Sequence, residues 1–496
     1  MSIWLVFAII IAFFGILLVV SHYSSRNVNN ETFFTGNKNS PWYLVTFGMI
    51  GATISGVTFI SVPGEVGSSS WTYLQFLLGN FFGYWIIAFV LIPLYYRLNL
   101  VSIYTYLDQR FGISSYKTGA SFFLISQTVG ASFRLYLAIC VLQIVFFDAV
   151  GIPFWLMASL TLLVIWLYTR KAGIKTVIWT DTIQAFFLIS AVVITIVVIG
   201  KELNIGAVEM VKAISDNPHS QTFDWDWQSK TNFFKQFFAG IAVVFAMNGL
   251  DQNMMQKNLT CRTQKDAQKN FMWFSLAFII SNLCFLSLGV LLYMYADAND
   301  IQTPVKTDEL YPMLAMKYFG IFAGILFLIG ILSAAYSSAD SALTALTTSF
   351  CIDIAGVKAN SLENAGVRSK VHVGVTIVML AVIVLFQTIN NDSVVNSVFK
   401  IAGYTYGPLV GLFLFGILTK KQVHDKYVPF VCVLSPVLCW IISSNSKEWF
   451  GGYQFGFELL LLNSLLTFIG LLLLTKSQTQ RREDTKEREK QLKKES

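Results

Sequence analysis

Phe47-Gly48-Met49-Ile50-Gly51-Ala52-Thr53-Ile54-Ser55-Gly56-Val57-Thr58-Phe59-Ile60-Ser61-Val62-Pro63-Gly64 is apolar enough to lie in a membrane, yet its glycines, small polar residues and late proline argue against an uninterrupted helix near Ser55-Gly56. A helix that breaks at bilayer depth frees backbone carbonyls, and these are tolerated only where they line a site enclosed by protein. The competing reading is close helix packing, for which glycine is common in membrane helices. A second such element is Ala402-Gly403-Tyr404-Thr405-Tyr406-Gly407-Pro408-Leu409-Val410-Gly411, where a kink is expected at Gly407-Pro408.

The rest of the chain supplies the membrane context. Of its 496 residues 55% are hydrophobic and only 13% charged, with a mean hydropathy of +0.61; a soluble domain carries about 25% charged residues. Thirteen apolar segments follow one another, near 2–21, 42–62, 71–96, 116–147, 152–169, 176–200, 232–256, 270–296, 316–350, 371–389, 394–419, 427–444 and 455–475. The fold class is therefore an all-α polytopic membrane protein. Residues 1–475 form the transmembrane domain and 476–496 a charged tail, a solvated stretch of mixed Arg, Glu, Lys and Gln.

Lysines and arginines set the orientation. With the N-terminus outside, the cytoplasmic loops hold Arg97, Arg110, Arg170, Lys175, Lys257, Arg262, Lys358, Arg368 and Lys420, among others, and the tail adds more. The expected location is a cell inner membrane, multi-pass, with the C-terminus cytoplasmic. Arg134 stands alone as a basic residue in the middle of a span. The net charge of +7 follows from this asymmetry and favours anionic lipid headgroups as the surface partner, with no nucleic acid. The opening apolar stretch lacks a basic leader and a small-residue cleavage site, so it reads as a retained first helix. Six cysteines without CxxC spacing argue against zinc and disulfides. The absence of a phosphate loop and of histidines deep inside spans argues against ATP hydrolysis, haem and copper. No activated nucleophile accompanies the buried carboxylates, so the chain is not expected to be an enzyme.

Polar residues at bilayer depth point to a site. On the ninth segment Ser337, Asp340, Ser341, Thr344 and Thr348 recur at helical spacing and share one face, with Ser338 beside them. Asp340 lies on the order of 15 Å from the cytoplasmic end at 1.5 Å per residue, too deep for a short side chain to reach water. Asp181 lies nearer the end of its own segment, where solvation or an interhelical hydrogen bond competes with an ion-binding role. Carboxylates, hydroxyls and free carbonyls together are the donor set of a hard cation such as Na+.

At these residues the chain resembles the sodium:solute symporter family, of the sodium/glucose and sodium/iodide type. The resemblance covers nearly the whole length. It rests on Phe33-Phe34-Thr35-Gly36-Asn37-Lys38-Asn39-Ser40-Pro41-Trp42, on Tyr104-Thr105-Tyr106-Leu107-Asp108-Gln109-Arg110-Phe111-Gly112, and on Gly173-Ile174-Lys175-Thr176-Val177-Ile178-Trp179-Thr180-Asp181-Thr182-Ile183-Gln184. The serine-rich ninth segment and Tyr406-Gly407-Pro408-Leu409 add to it. It implies a LeuT-like five-plus-five inverted repeat with a broken second helix, the repeats falling at about 42–200 and 232–419, and alternating access around a midplane site. It implies a main sodium site at the carbonyls of Gly51, Ile54 and Ala334 and the hydroxyls of Ser337 and Ser338. A second sodium site, present in some members, maps onto Asp181, Ser337, Asp340 and Ser341. A carboxylate stands at 340 where some members have serine, so this site is either stronger or a proton or structural site instead.

For the solute, the resemblance places Ser55 and Thr58 on the face of the broken helix that meets it. Some members that carry acidic sugars use an arginine on the fourth span; alignment puts that position at Gly130, one turn before Arg134 on the same face. The expectation is a sodium-coupled secondary active symporter importing a small organic solute, with a carboxylate such as an acidic sugar or monocarboxylate held by Arg134. A proton-coupled symporter, a sodium-coupled carrier of a neutral sugar and a non-transporting solute sensor are the alternatives, and the residues do not fix the oligomeric state.

Overall fold

A computed structural model describes residues 3–25, 30–171, 173–357, 365–389, 394–453 and 455–476. The charged tail lies almost wholly outside the described residues. Each of the thirteen expected segments corresponds to helix. These are α1 (Ile3–Ser24), α2a (Trp42–Thr53) with α2b (Gly56–Ser69), α3 (from Tyr73–Ile86 through a π-helical turn at Ile87–Leu91 into Ile92–Arg97), α4 (Ile113–Leu142), α5 (Phe154–Thr169) and α6 (Ile174–Glu202). There follow α7a (Phe233–Val244) with α7b (Gln252–Asn258), α8 (Gln264–Ala298), α9 (Gly320–Ser349), α10 (Ala365–Ile389), α11 (Val394–Leu418), α12 (Val428–Ser444) and α13 (Leu459–Leu473).

The second segment breaks where the sequence suggested. Ile54 (φ −78°, ψ 93°) and Ser55 (φ −89°, ψ 175°) leave the helical region, and the helix restarts at Gly56. Its glycines divide between the two readings. A Cβ on Gly51 would meet the Asp181 carbonyl at 2.5 Å, and one on Gly48 the Ile178 carbonyl at 3.2 Å, so both serve the close approach of α2a to α6. The end of α2a is thereby set against the backbone of α6 at Asp181.

The seventh segment is broken too. After a π-helical turn at Phe245–Gly249 the chain bends by 68° into α7b. The polar run Asn248-Gly249-Leu250-Asp251-Gln252-Asn253 explains it: Asp251 leaves the helix (φ −107°, ψ 120°) and its carboxylate accepts the Asn253 N–H at 2.7 Å, capping the new half-helix. This corrects the placement of Lys257. The bend keeps α7b inside the protein, every residue from Gln252 to Asn258 is buried, and Lys257 has no exposed surface at all.

At α11 the helix runs on through Pro408. Proline leaves the carbonyl four residues back without a donor; here the Asn463 amide on α13 donates to the carbonyls of both Gly403 (3.0 Å) and Tyr404 (2.9 Å). Gly407 makes room for that amide, since a Cβ there would lie 2.3 Å from it.

The segments that carry the family resemblance pack at the end of the bundle nearest α7b. Tyr104 Oη donates to the Leu250 carbonyl at the bend (2.8 Å), and Gln252 Nε2 donates to the Val101 carbonyl (2.8 Å). Gln256 Nε2 donates to the Phe34 carbonyl and to Thr348 Oγ1. Arg110 donates to the carbonyls of Gly416 and Thr419 at the end of α11, where a cation also complements the helix dipole.

Candidate functional site

Two polar layers meet the breaks in α2 and α7. In the first, α9 lies against the broken end of α2a. Ser337 Oγ donates to the Gly51 carbonyl (2.6 Å) and Ser338 Oγ to the Ala52 carbonyl (3.3 Å). Ile54 and Ala334 sit on the same two elements, both fully buried. Carbonyls released by a helix break and hydroxyls from a facing helix thus share one water-excluded spot, the donor chemistry that suits Na+.

Beside it lie the carboxylates. Asp181 (α6) and Asp340 (α9) are both fully buried. Asp340 Oδ2 accepts from Tyr168 Oη (2.9 Å) and Thr180 Oγ1 (3.2 Å), while Asp181 Oδ2 accepts from Ser341 Oγ (2.9 Å). The side chain that sequence reasoning missed is Lys257. Its Nζ stands 2.5 Å from Asp181 Oδ2 and donates to Ser341 Oγ at 2.7 Å. Of the four residues assigned to a second sodium site, two are therefore engaged by an ammonium of the chain itself, and Ser337 turns to the Gly51 carbonyl instead.

The second layer is a cavity of about 350 Å³ bounded by both parts of α2, α3, α4, both parts of α7, α8 and the residues just before α13. Ser55, Thr58 and Arg134 all line it. Arg134 folds back along α4 in the usual direction of helical side chains: its Nη1 lies 3.7 Å from where a Cβ on Gly130 would sit. The guanidinium thus reaches the level of the residue one turn earlier. No carboxylate among the described residues lies within 4.0 Å of it. Asp251, not anticipated from the sequence, lines the same cavity and accepts from Tyr406 Oη (2.5 Å). Asn248, which donates to Tyr84 Oη (2.9 Å), and Gln127, whose buried Nε2 has no partner, lie alongside. The signal for Asp251 was present in the chain, because a carboxylate inside a segment drawn at 232–256 meets the criterion that singled out Asp181.

A family model described as the sodium:solute symporter family matches residues 33–425. The chain belongs to this family. The symporter is 24% identical over 457 residues to the sodium/sialic acid symporter NanT of Aliivibrio fischeri, with 88% of each protein covered. It is 25% identical over 456 residues to the sodium/sialic acid symporter SiaT of Proteus mirabilis, covering 88% of this chain and 89% of that one. To the human sodium/iodide cotransporter it is 24% identical over 404 residues, 79% of this chain and 61% of the relative. Among solved structures, a Na+-coupled sialic acid symporter in a substrate-bound outward-open state superposes with a TM-score of 0.81 at 21% identity, over 96% of this chain and 99% of that one. A closed nucleobase-cation-symport-1 family transporter superposes with a TM-score of 0.56 at 12% identity, over 90% and 94%. These likenesses establish the LeuT-like transporter fold. The protein is a sodium-coupled membrane carrier and not an enzyme.

Proposed function

We propose that this symporter imports a carboxylate-bearing polar solute, an acidic sugar foremost, driven by Na+ bound between the break of α2 and α9. The observation that carries the reading is Arg134: a guanidinium inside the bundle that faces the cavity with no carboxylate of the described residues within 4.0 Å, Asp251 being near enough for its charge to be felt but not to pair, leaves room for an anion from outside the protein. Asp251 across the same cavity accepts hydrogen bonds, so a solute with hydroxyls or an amide N–H as well as a carboxylate meets both. Ser55 and Thr58 on the broken helix supply further short-range polar contacts. The volume suits a small molecule. The sialic acid symporters among the relatives support the same solute class.

The lining of the cavity runs to Ser70, Tyr73, Lys230, Thr231 and Phe457, with Ser70 and Tyr73 at the opposite end of α3 from Arg97. With the arginine- and lysine-rich end in the cytoplasm, the cavity lies on the outer side of the contacts made by Tyr104, Gln252 and Gln256. Na+ coordination involves the carbonyls of Gly51, Ile54 and Ala334 with the hydroxyls of Ser337 and Ser338. In the present geometry those hydroxyls donate to the carbonyls of Gly51 and Ala52, and they turn their lone pairs to the ion when it binds. Coupling follows because the break that offers carbonyls to Na+ also orients Ser55 and Thr58 toward the solute.

The test is uptake of radiolabelled N-acetylneuraminate into proteoliposomes under an inward Na+ gradient, with K+ as control. Uptake that requires Na+ and is competed by other acidic sugars supports the reading. Competition by neutral sugars alone would favour the neutral-sugar alternative, and uptake driven equally by a proton gradient would favour proton coupling.

A further inference from the structure

We infer that the ammonium of Lys257 is a tethered cation that takes the place of a second sodium ion, so that this symporter binds a single Na+. The inference rests on the sodium-coupled reading above and concerns its stoichiometry.

The geometry around Lys257 is that of an ion site with its cation supplied by the chain. The side chain is fully buried, with its Nζ between Asp181 Oδ2 (2.5 Å) and Ser341 Oγ (2.7 Å), and the Ser341 hydroxyl hydrogen passes on to the same Asp181 oxygen (2.9 Å). Asp340 lies near enough for its charge to act on both Asp181 and Lys257, while its Oδ2 is taken up by Tyr168 and Thr180. An ammonium and a sodium ion are alternative solutions to the same electrostatic demand, because a buried carboxylate needs a positive charge and several polar atoms at hydrogen-bond or coordination distance. With the carboxylate oxygen and the hydroxyl both engaged by Nζ, a sodium ion at this position would have to sit on the ammonium.

The path of the backbone makes this arrangement possible. Lys257 reaches the site only because α7 bends by 68° at Gly249–Gln252 and returns α7b into the bundle, where it packs against α9 and α6. A free ion leaves during transport, whereas a tethered one stays and ties the broken seventh segment to two continuous helices throughout the cycle.

Removing the tether should convert the position back into an ion site. Lys257→Ala leaves a buried space lined by Asp181, Asp340 and Ser341, and the Oδ1 atoms of both carboxylates are already without hydrogen-bond partners. The experiment is equilibrium binding of ²²Na+ to purified protein without solute, counted per polypeptide. Wild type is expected to bind one Na+ and Lys257→Ala two. Two ions on wild type, or one on both proteins, overturns the inference. No Na+ binding to wild type would strike the sodium-coupled reading itself and the inference with it. Should Lys257→Ala not purify folded, the wild-type count still decides, and the ratio of ²²Na+ to radiolabelled N-acetylneuraminate taken up into proteoliposomes is a second, independent measure: one is expected, and two would contradict the inference.

Discussion

Lys257 and Arg134 both hold a positive charge inside the bundle, but their surroundings are opposite. Lys257 is enclosed, with a carboxylate at 2.5 Å and a hydroxyl at 2.7 Å; Arg134 opens onto a cavity of about 350 Å³ with no carboxylate within 4.0 Å among the described residues. A buried charge is tolerated only when something neutralises it. For Lys257 that partner is part of the fold; for Arg134 the fold supplies only the more distant Asp251, and the contacting partner is assigned to the cargo. The first should therefore matter most to stability and ion count, the second to solute affinity.

The contrast is sharpest in stability. Lys257→Met strands the Asp181 carboxylate without its partner, an error that costs about 3–5 kcal/mol in buried pairs. The single variant should lose much of its apparent thermal stability, and the double variant Lys257→Met/Asp181→Asn should recover most of it, since the two sites form one unit. Equal stability of wild type and the single variant would show that the pair is not a structural unit. For Arg134 the same measurement should show a smaller change and the solute a larger one. Arg134→Ala should weaken solute binding by about 1.5–3 kcal/mol, the range for a hydrogen bond to a charged group. Arg134→Lys keeps the charge and loses the planar fork, so transport should fall at least about tenfold, equivalent to about 1.4 kcal/mol. A fully active Arg134→Lys protein carrying a neutral solute would reassign the guanidinium to a structural role.

The sodium layer between these two regions offers a finer test. Ser338→Ala removes one oxygen from the site at the break of α2 and should raise the Na+ concentration for half-maximal uptake by about tenfold, again about 1.4 kcal/mol. Unchanged Na+ dependence in a well-expressed variant would move the ion elsewhere. The smallest effect is expected far from either cation: Asn463→Ala frees the carbonyls of Gly403 and Tyr404 beside Pro408 and should cost about 1 kcal/mol of stability, read as a lower melting temperature. A larger loss there than at Lys257 would invert the ranking.

The legible parts of this protein were those written in local pattern. Apolar runs located all thirteen segments, and Ser55-Gly56 marked the break in α2, because a helix that must end at bilayer depth needs small, polar, flexible residues there. The face of α9 bearing Ser337, Asp340 and Ser341 followed from helical spacing alone. What escaped depended on a long-range bend. Lys257 looks like a loop lysine because positive charge near the end of an apolar run ordinarily means the cytoplasmic surface. Only the turn at Gly249–Gln252 carries it inward, and that turn was foreshadowed by Asn248, Asp251, Gln252 and Asn253, a polar cluster too dense for an unbroken span. Gly407-Pro408 reads locally as a kink, yet the helix runs on through Pro408, and the donor to the carbonyls behind it, Asn463, comes from another helix 55 residues downstream of Pro408. Partners supplied across such distances cannot be read from periodicity.

Most depends on whether Arg134 binds the carboxylate of a solute carried with Na+. The decisive measurement is the thermal stability of the purified protein titrated with N-acetylneuraminate and with its methyl ester, each in Na+ and in K+ buffer, since a ligand that binds the folded state raises apparent stability by mass action. The free acid should stabilise wild type in Na+, the ester and the K+ buffer should each abolish most of the shift, and Arg134→Lys should lose it. Equal stabilisation by acid and ester, or by the acid in Na+ and K+ alike, would contradict a carboxylate clamp coupled to sodium.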